Sequence, residues 1–380
     1  MKVMLVSHFA PDHQESMLRF SRLLTQHLPD AGIEPILVAP QRRLTRLIPN
    51  YRYAGWQKYV GYLDKFALFP IELRRAIAHH QPAVVHLLDH AHSGYASAAG
   101  SIPVVLTCHD LLQIRAAAGE IPQQPLSPSG RKFQDWIRHH IATVPNIVCV
   151  SKKTRDDLNR LIPRQGGRTE VIYNGLSYPY SPLPMPLARK RVSSLWSLPE
   201  GKNPGRFYLN VGGGQWYKNR PGLLHIFAGL FRAQPDLNFV MVGKPLSTAD
   251  AALASRLGLT SALRHFSNLP SKDLAALYQL SEGLIFPSWE EGFGWPIAEA
   301  QACGCPVFTS DRAPMTEVGG DAAVYFNPAA PDEAVAQILA AQSNRGTMSA
   351  RGILYAANWD PKHMIDAYAA LYRSLANVNS

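Results

Sequence analysis

Glu291 and Glu299 stand eight residues apart in Pro287-Ser-Trp-Glu-Glu-Gly-Phe-Gly-Trp-Pro-Ile-Ala-Glu-Ala300, with Gly292 and Gly294 between them. The segment follows an apolar run, Gly283-Leu-Ile-Phe286, and Pro296 suits the first turn of a helix. Glycines in a strand-to-helix turn let main-chain N–H groups approach a ligand closely, and the helix start behind them favours an anion. Ionised carboxylates only accept hydrogen bonds. Glu291 in the turn and Glu299 in the helix therefore suit the hydroxyls of a sugar nucleotide, one on each of its parts. The same spacing also suits an exposed turn carboxylate followed by a helix-start charge.

A second cluster of chemistry-bearing residues is Asn210-Val-Gly-Gly-Gly-Gln-Trp-Tyr-Lys-Asn-Arg-Pro-Gly222, after the apolar run that starts at Phe207. Gly212, Gly213 and Gly214 can expose main-chain donors, and Lys218 with Arg220 can supply positive charge to a diphosphate. Lys218 is followed by Asn219 and position 217 is Tyr217, so neither the P-loop nor the dinucleotide fingerprint is present. Elsewhere, Asp89-His90-Ala-His92 has two imidazoles without a third ligand at metal-site spacing. Cys303 and Cys305 have no partner pair and read as small buried residues, and since none of the four cysteines, Cys108 and Cys149 included, sits in a paired framework, a reducing compartment is expected.

The elements that must position these residues alternate. Val3-Met-Leu-Val6, Pro35-Ile-Leu-Val38, Val84-Val-His-Leu87, Val104-Val-Leu-Thr107 and Ile147-Val-Cys-Val150 are short apolar runs separated by helical patterns. A second series holds the runs starting at Phe207, Phe239, Gly283, Val307 and Ala323. Such alternation predicts α/β architecture with doubly wound parallel sheets, and 380 residues accommodate two such domains. Four prolines within Tyr178–Pro186 read as an extended connection. The predicted division is a first domain over 1–178, a linker over 179–205, a second domain over 206–355, and a C-terminal helix within 356–380 that packs back towards the first domain. Ligands of open α/β sheets bind at the carboxyl ends of the strands, so a cleft between the two sheets is expected.

Composition excludes disorder, with 46% hydrophobic residues, and no apolar stretch is long enough to cross a bilayer. The first apolar run meets His8 and Asp12 too soon for a secretory signal. Net charge is +10, and residues 1–185 carry a surplus of eight cations against two in the remainder. An anionic partner is therefore expected at the first half. Arg42, Arg43, Arg46, Arg52, Lys58 and Lys65 are interleaved with Tyr51, Tyr53, Trp56, Tyr59, Tyr62, Phe66 and Phe69. This mixture suits a lipid headgroup interface as well as an ordinary helix with core aromatics. No nucleic-acid-binding signature accompanies the charge.

The segment Pro287–Ala300, with Ala302-Cys-Gly-Cys-Pro-Val307 after it, resembles the C-terminal signature of the family-four, or group 1, retaining glycosyltransferases. Further pieces match in order: Val105–Leu111, Val150-Ser151, Val171–Gly175, Gly212–Asn219, Val242-Gly243, the run from Glu317, and Trp359 before a terminal helix. The resemblance covers nearly the whole chain. It implies a GT-B fold of two Rossmann-like domains and a transferase that moves a hexose-type sugar, such as mannose or glucose, from a UDP- or GDP-sugar. The implied acceptor is a glycan or polyprenyl-linked sugar in bacterial polysaccharide synthesis. The implied location is cytoplasmic, with peripheral contact to the inner face of the membrane through the basic half.

The resemblance also assigns roles by position. Glu291 would face the donor sugar, with the main-chain amides of Phe293, Gly294 and Trp295 beside sugar and phosphate. Glu299 would hold the ribose and Lys218 the diphosphate, and Gly292, Gly213, Gly214 and Asn219 would bind the donor beside them. Gly243 and Ser267-Asn-Leu269 would flank the base, and His109 would line the cleft from the first domain. No metal or other cofactor is implied, since Lys218 and a helix start can stabilise the leaving diphosphate.

Two departures stand out. Gly213 occupies a position where an arginine is usual in the family, which makes Arg220 the candidate second cation. The first β/α turn lacks the usual glycine pair and reads Ala10–Met17. There Asp12 and Glu15 read as a capping box, with Gln14 and Ser16 as acceptor-side candidates. Other readings of the same residues are a sugar-nucleotide epimerase of like fold, or a protein that binds a sugar nucleotide without turnover.

Overall fold

The computed structural model describes residues 1–12, 14–52, 54–164, 166–198 and 205–377. These divide into two compact units, Met1–Ser177 with Pro361–Ser380, and Tyr178–Asp360.

The first unit is built on six parallel strands, β1 (Lys2–Val6), β2 (Glu34–Val38), β3 (Val84–Leu87), β4 (Val104–Cys108), β5 (Asn146–Cys149) and β6 (Arg168–Val171). Their order is β2-β1-β3-β4-β5-β6, so the winding reverses between β1 and β3. The central strands β3 and β4 are buried at every position, as their apolar composition requires of a sheet covered on both faces. The helix Glu15–His27 repeats its apolar residues at helical spacing and buries Phe20, Leu23 and Leu24.

The C-terminal helix Pro361–Asn377 belongs to this unit and buries Met364, Ile365, Tyr368, Leu371 and Tyr372. Gly175 makes its entry possible, because a Cβ there would lie 2.4 Å from Cα of Pro361. Beneath the helix runs a buried polar chain. His86 Nδ1 meets the Tyr372 hydroxyl at 2.6 Å, His86 Nε2 meets Thr107 Oγ1 at 2.7 Å, and Thr107 Oγ1 meets the Tyr368 hydroxyl at 2.9 Å.

Burial pushes His86 down to about 3 and His109 down to about 4, from an ordinary imidazole value of 6.5. Both folded values lie below the unfolded one, so the unfolded chain binds more protons in between. The stability these neutral rings contribute is present above about pH 6.5 and is lost as pH falls through about 4 and then about 3. Urea unfolding of the full chain is expected to lose on the order of 3 kcal/mol or more between about pH 7 and pH 4. A midpoint that stays flat over this range contradicts the neutral, buried assignment.

The second unit repeats the plan with β7 (Phe207–Gly212), β8 (Asn238–Gly243), β9 (Leu263–Phe266), β10 (Gly283–Phe286), β11 (Val307–Ser310) and β12 (Ala323–Phe326). All pair in parallel in the order β12-β11-β10-β7-β8-β9, so here the winding reverses between β7 and β10. Gly243 ends β8 at φ +135°, and a Cβ there would lie 2.1 Å from the Gly212 carbonyl oxygen. Only glycine lets the ends of β7 and β8 come this close.

The stretch expected as a linker, 179–205, is partly a folded element. Residues Met185–Leu195 form a helix with Pro186 in its first turn, where a missing N–H costs nothing. This helix buries Ala188, Val192 and Ser193 and pairs Arg191 with Asp273 at 2.8 Å. Residues 199–204 of that stretch lie outside the described ones. Among the described residues no helix is long and apolar enough to cross a membrane.

Candidate active site

The winding reversal in the second unit puts the carboxyl ends of β7 and β10 side by side, and both glycine-containing turns leave the sheet there. Such a reversal opens a crevice that parallel sheets use for ligands. Asn210 Nδ2 donates to the Ile285 carbonyl oxygen at 2.9 Å, and the Trp289 N–H donates to the Tyr217 carbonyl oxygen at 2.7 Å. The two turns are thereby fixed to one another.

Lys218 ends a short turn of 3-10 helix, Trp216–Lys218, and its stem folds back over Gly212. Its ammonium lies 2.7 Å from Glu291 Oε1, 5.1 Å from the ring centre of Phe286 and 5.4 Å from that of Tyr217. The two side chains are 16% and 9% exposed, so water screens the pair weakly while leaving it reachable. Two residues named separately from sequence, 73 positions apart, thus share one ionic contact.

Asn219 takes the left-handed conformation, φ +52°, and caps the helix Arg220–Ala233 by accepting from the Gly222 N–H. Its amide also donates to the Pro328 carbonyl oxygen at 3.1 Å. Asn219 is therefore a holder of the turn. Gly213 and Gly214 leave room for neighbours, because Cβ atoms there would lie 2.1 Å from Gln215 Oε1 and 3.3 Å from Arg220 Nη1.

Arg220 differs from expectation. It is buried, and its guanidinium donates to the Pro245 carbonyl oxygen at 2.7 Å and to that of Lys244. Burial lowers its pKa. The side chain clamps the loop after β8 from beside the Gly214 turn.

Beyond β10, Gly294 has φ +101° and leads into the helix Trp295–Ala302. The rings of Phe293 and Trp295 are buried, Phe293 packing edge-on against Trp359 at 5.4 Å. The two side chains thus anchor the turn to the body of the second unit. Glu299 is 2% exposed, and its Oε2 accepts from the buried Tyr278 hydroxyl at 3.0 Å. It is more enclosed than a helix-start charge would be. Burial and the Glu299 carboxylate together hold the Tyr278 phenol well above its ordinary range, so it stays a donor. At the ends of β8 and β9, Ser267 Oγ donates to the Gly243 carbonyl oxygen at 3.1 Å, with Leu269 half-buried beyond it.

In the first unit His109 follows β4. It is buried, with Nε2 2.9 Å from the Leu88 carbonyl oxygen and the Phe20 ring edge-on at 4.9 Å. Gln14 and Ser16 are exposed at the start of the helix Glu15–His27. The expected capping box is not formed. Gln14 is the cap residue and makes no side-chain cap, while Asp12 Oδ2 accepts from Lys65 at 2.5 Å. Lys65 is nearly buried, and an ammonium so placed needs a carboxylate more than a helix end does.

His8 is a further residue of the first unit, outside the expected site residues. It follows β1 as Asp89 follows β3, so the two meet where the first sheet reverses, with His8 Nε2 2.6 Å from Asp89 Oδ2. Burial pushes the Asp89 carboxyl up, but the His90, His8 and His92 rings outweigh it and hold it well below its ordinary value. Asp89 Oδ1 also accepts from the Ala91 N–H, and the His92 ring stacks on Tyr95. Among the described residues no group of three or more potential ligands is placed to hold a metal.

Two family models match the chain in succession, Glycosyltransferase Family 4 over residues 19–177 and Glycosyl transferases group 1 over residues 198–359. The chain belongs to the group 1 glycosyltransferases. Relatives of this chain include the D-inositol 3-phosphate glycosyltransferase of Frankia alni, 29% identical over 257 residues that make up 63% of this chain and 60% of that protein. Another is the O-antigen chain mannosyltransferase B of Escherichia coli, 36% identical over 116 residues, 29% of this chain and 30% of that one. The chain thus matches about three-fifths of the first relative's length and under a third of the second's. Among solved structures, sucrose-phosphate synthase from Thermosynechococcus elongatus superposes with a TM-score of 0.78 over 100% of both chains at 17% identity. The fold is GT-B.

Proposed function

We propose that this glycosyltransferase is a retaining, metal-independent hexosyltransferase, using a UDP- or GDP-sugar and a glycan or lipid-linked acceptor of bacterial polysaccharide. The observation that carries the reading is the Lys218–Glu291 pair at the winding reversal of the second sheet, between a glycine-rich turn and a helix start. A diphosphate arriving at Lys218 takes over its charge and releases Glu291 to accept hydrogen bonds from the sugar hydroxyls. Glu299, held by Tyr278, is the candidate for the ribose hydroxyls. Two relatives act, by their names, on an inositol phosphate and on an O-antigen chain, which supports a hydroxylated acceptor and a hexose donor such as mannose.

In the proposed step the bond from the anomeric carbon to the diphosphate oxygen breaks, and a bond to the acceptor oxygen forms on the same face. The acceptor proton passes to an oxygen of the departing diphosphate. Lys218 and the helix start at Trp295 stabilise the charge that develops there. Glu291 acts through position and charge, without a covalent intermediate. Acceptor recognition falls to the first unit, where Gln14, Ser16 and His109 are the candidates, and a lipid-linked acceptor would bring that unit to a membrane.

The test is nucleotide release from a panel of UDP-, GDP-, ADP- and TDP-sugars with acceptor extracts, with and without chelator, followed by the anomeric configuration of the product. Release from one donor, unchanged by chelator and with configuration kept, is expected. Activity lost to chelator and restored by magnesium overturns metal independence, inverted configuration overturns the step, and binding without release overturns turnover itself.

A further inference from the structure

We propose that Tyr278 is the positioning residue through which Glu299 reads the ribose hydroxyls of the donor nucleotide. The inference rests on the reading of Glu299 given above and adds to it a side chain that itself touches no ligand. Tyr278 lies in the helix Ser271–Leu280, which leads into β10, and Glu299 lies in the helix Trp295–Ala302, which follows the turn after β10. The 3.0 Å hydrogen bond from the Tyr278 hydroxyl to Glu299 Oε2 therefore ties together the two helices on either side of the strand whose carboxyl end borders the crevice.

Packing alone does not call for a tyrosine at this position. Tyr278 is fully buried, and a phenylalanine would fill the same ring volume without a hydroxyl to satisfy. The phenol is also held from behind. The Tyr180 ring packs edge-on against it at 6.1 Å. The side-chain amide of the next residue, Gln279, accepts from the Leu183 N–H at 2.7 Å and donates to the Leu183 carbonyl oxygen at 2.8 Å. The helix end that carries Tyr278 is thereby pinned to the chain before the helix Met185–Leu195.

The last torsion of a glutamate side chain has a broad, roughly two-fold profile, so a carboxylate left to itself turns. A donor fixed on one oxygen removes that freedom. Because burial and the Glu299 charge keep the proton on the phenol, Tyr278 donates and Glu299 remains an acceptor. A carboxylate has about four lone-pair sites, and one hydrogen bond from Tyr278 leaves capacity for hydroxyls. Such an acceptor, fixed and only 2% exposed, discriminates because a ligand without the hydroxyl leaves it short of a partner where water does not replace it.

Calorimetric titration of the full chain with UDP, GDP and their 2′,3′-dideoxy forms tests the proposal without sugar or acceptor present. For the base that binds, the wild type is expected to prefer the ribonucleotide about thirtyfold. In Y278F the preference is expected to fall to about threefold, through loss of ribonucleotide affinity with the dideoxy affinity kept within about twofold. E299Q is expected to lose the preference as well, and Y278F/E299Q to lose no more than E299Q, because Tyr278 acts through Glu299. A preference kept in Y278F but lost in E299Q overturns the role of Tyr278 and leaves that of Glu299 standing. Equal weakening of both nucleotides in Y278F marks a tyrosine that only packs, and overturns the proposal too. A wild type without preference, or one that binds neither nucleotide, overturns the ribose reading of Glu299 and the proposal with it.

Discussion

Replacing Glu291 with glutamine is expected to tighten the binding of a free nucleoside diphosphate while removing most of the turnover. The two effects have one origin. Without a donor, Lys218 spends its charge on Glu291 at 2.7 Å, and a diphosphate must compete for it. In E291Q the shape is kept and the competing charge is gone, leaving a weakly screened ammonium whose best partner is an anion. Affinity for the diphosphate is expected to rise about three- to tenfold. Turnover is expected to fall by about two to three orders of magnitude, since the carboxylate proposed to orient the sugar in the transition state is lost. Isothermal titration with UDP and GDP, beside steady-state kinetics on the accepted donor, checks both arms. Weaker diphosphate binding in E291Q would show that Glu291 supports the diphosphate site and does not compete with it.

Replacing Lys218 with alanine is expected to act in the opposite sense on binding. The diphosphate loses its cation and meets Glu291 as an unpaired neighbouring carboxylate, so repulsion adds to the lost attraction. A loss of about a hundredfold or more in nucleoside diphosphate affinity is expected, with a fall in turnover of about three orders of magnitude. Arg220 does not rescue the variant, because its guanidinium is held by the carbonyls of Lys244 and Pro245. The double variant K218A/E291Q removes the repulsion as well and is expected to bind better than K218A alone, which makes the pair non-additive. Equal affinity of K218A and the wild type would remove Lys218 from the site.

The central strands of both sheets were legible because burial on both faces demands unbroken apolar runs. The edge strands β6 and β9 were not. Arg168-Thr-Glu-Val171 and Leu263-Arg-His-Phe266 lie at the rims of their sheets, partly open to water, and so lack that pattern. The helix Met185–Leu195 was hidden by its prolines, which read as an extended connection but sit where a helix begins.

The two turns of the candidate site were legible from glycine spacing. Their ionic contact was not, because it depends on the winding reversal that brings β7 beside β10. Charge type alone misled at Asp12, since a sequence shows a cap candidate but not the buried lysine that claims it. His8 carried one usable signal, its place directly beyond a strand's carboxyl end.

The central claim is that Lys218 and Glu291 form one switchable contact at which a donor's diphosphate displaces a carboxylate. The most direct measurement is the dissociation constant of one nucleoside diphosphate, by calorimetry, for the wild type, E291Q and K218A under identical salt. Binding is expected to be tightest in E291Q, intermediate in the wild type and weakest in K218A. Three equal constants, or E291Q binding as weakly as K218A, would contradict it.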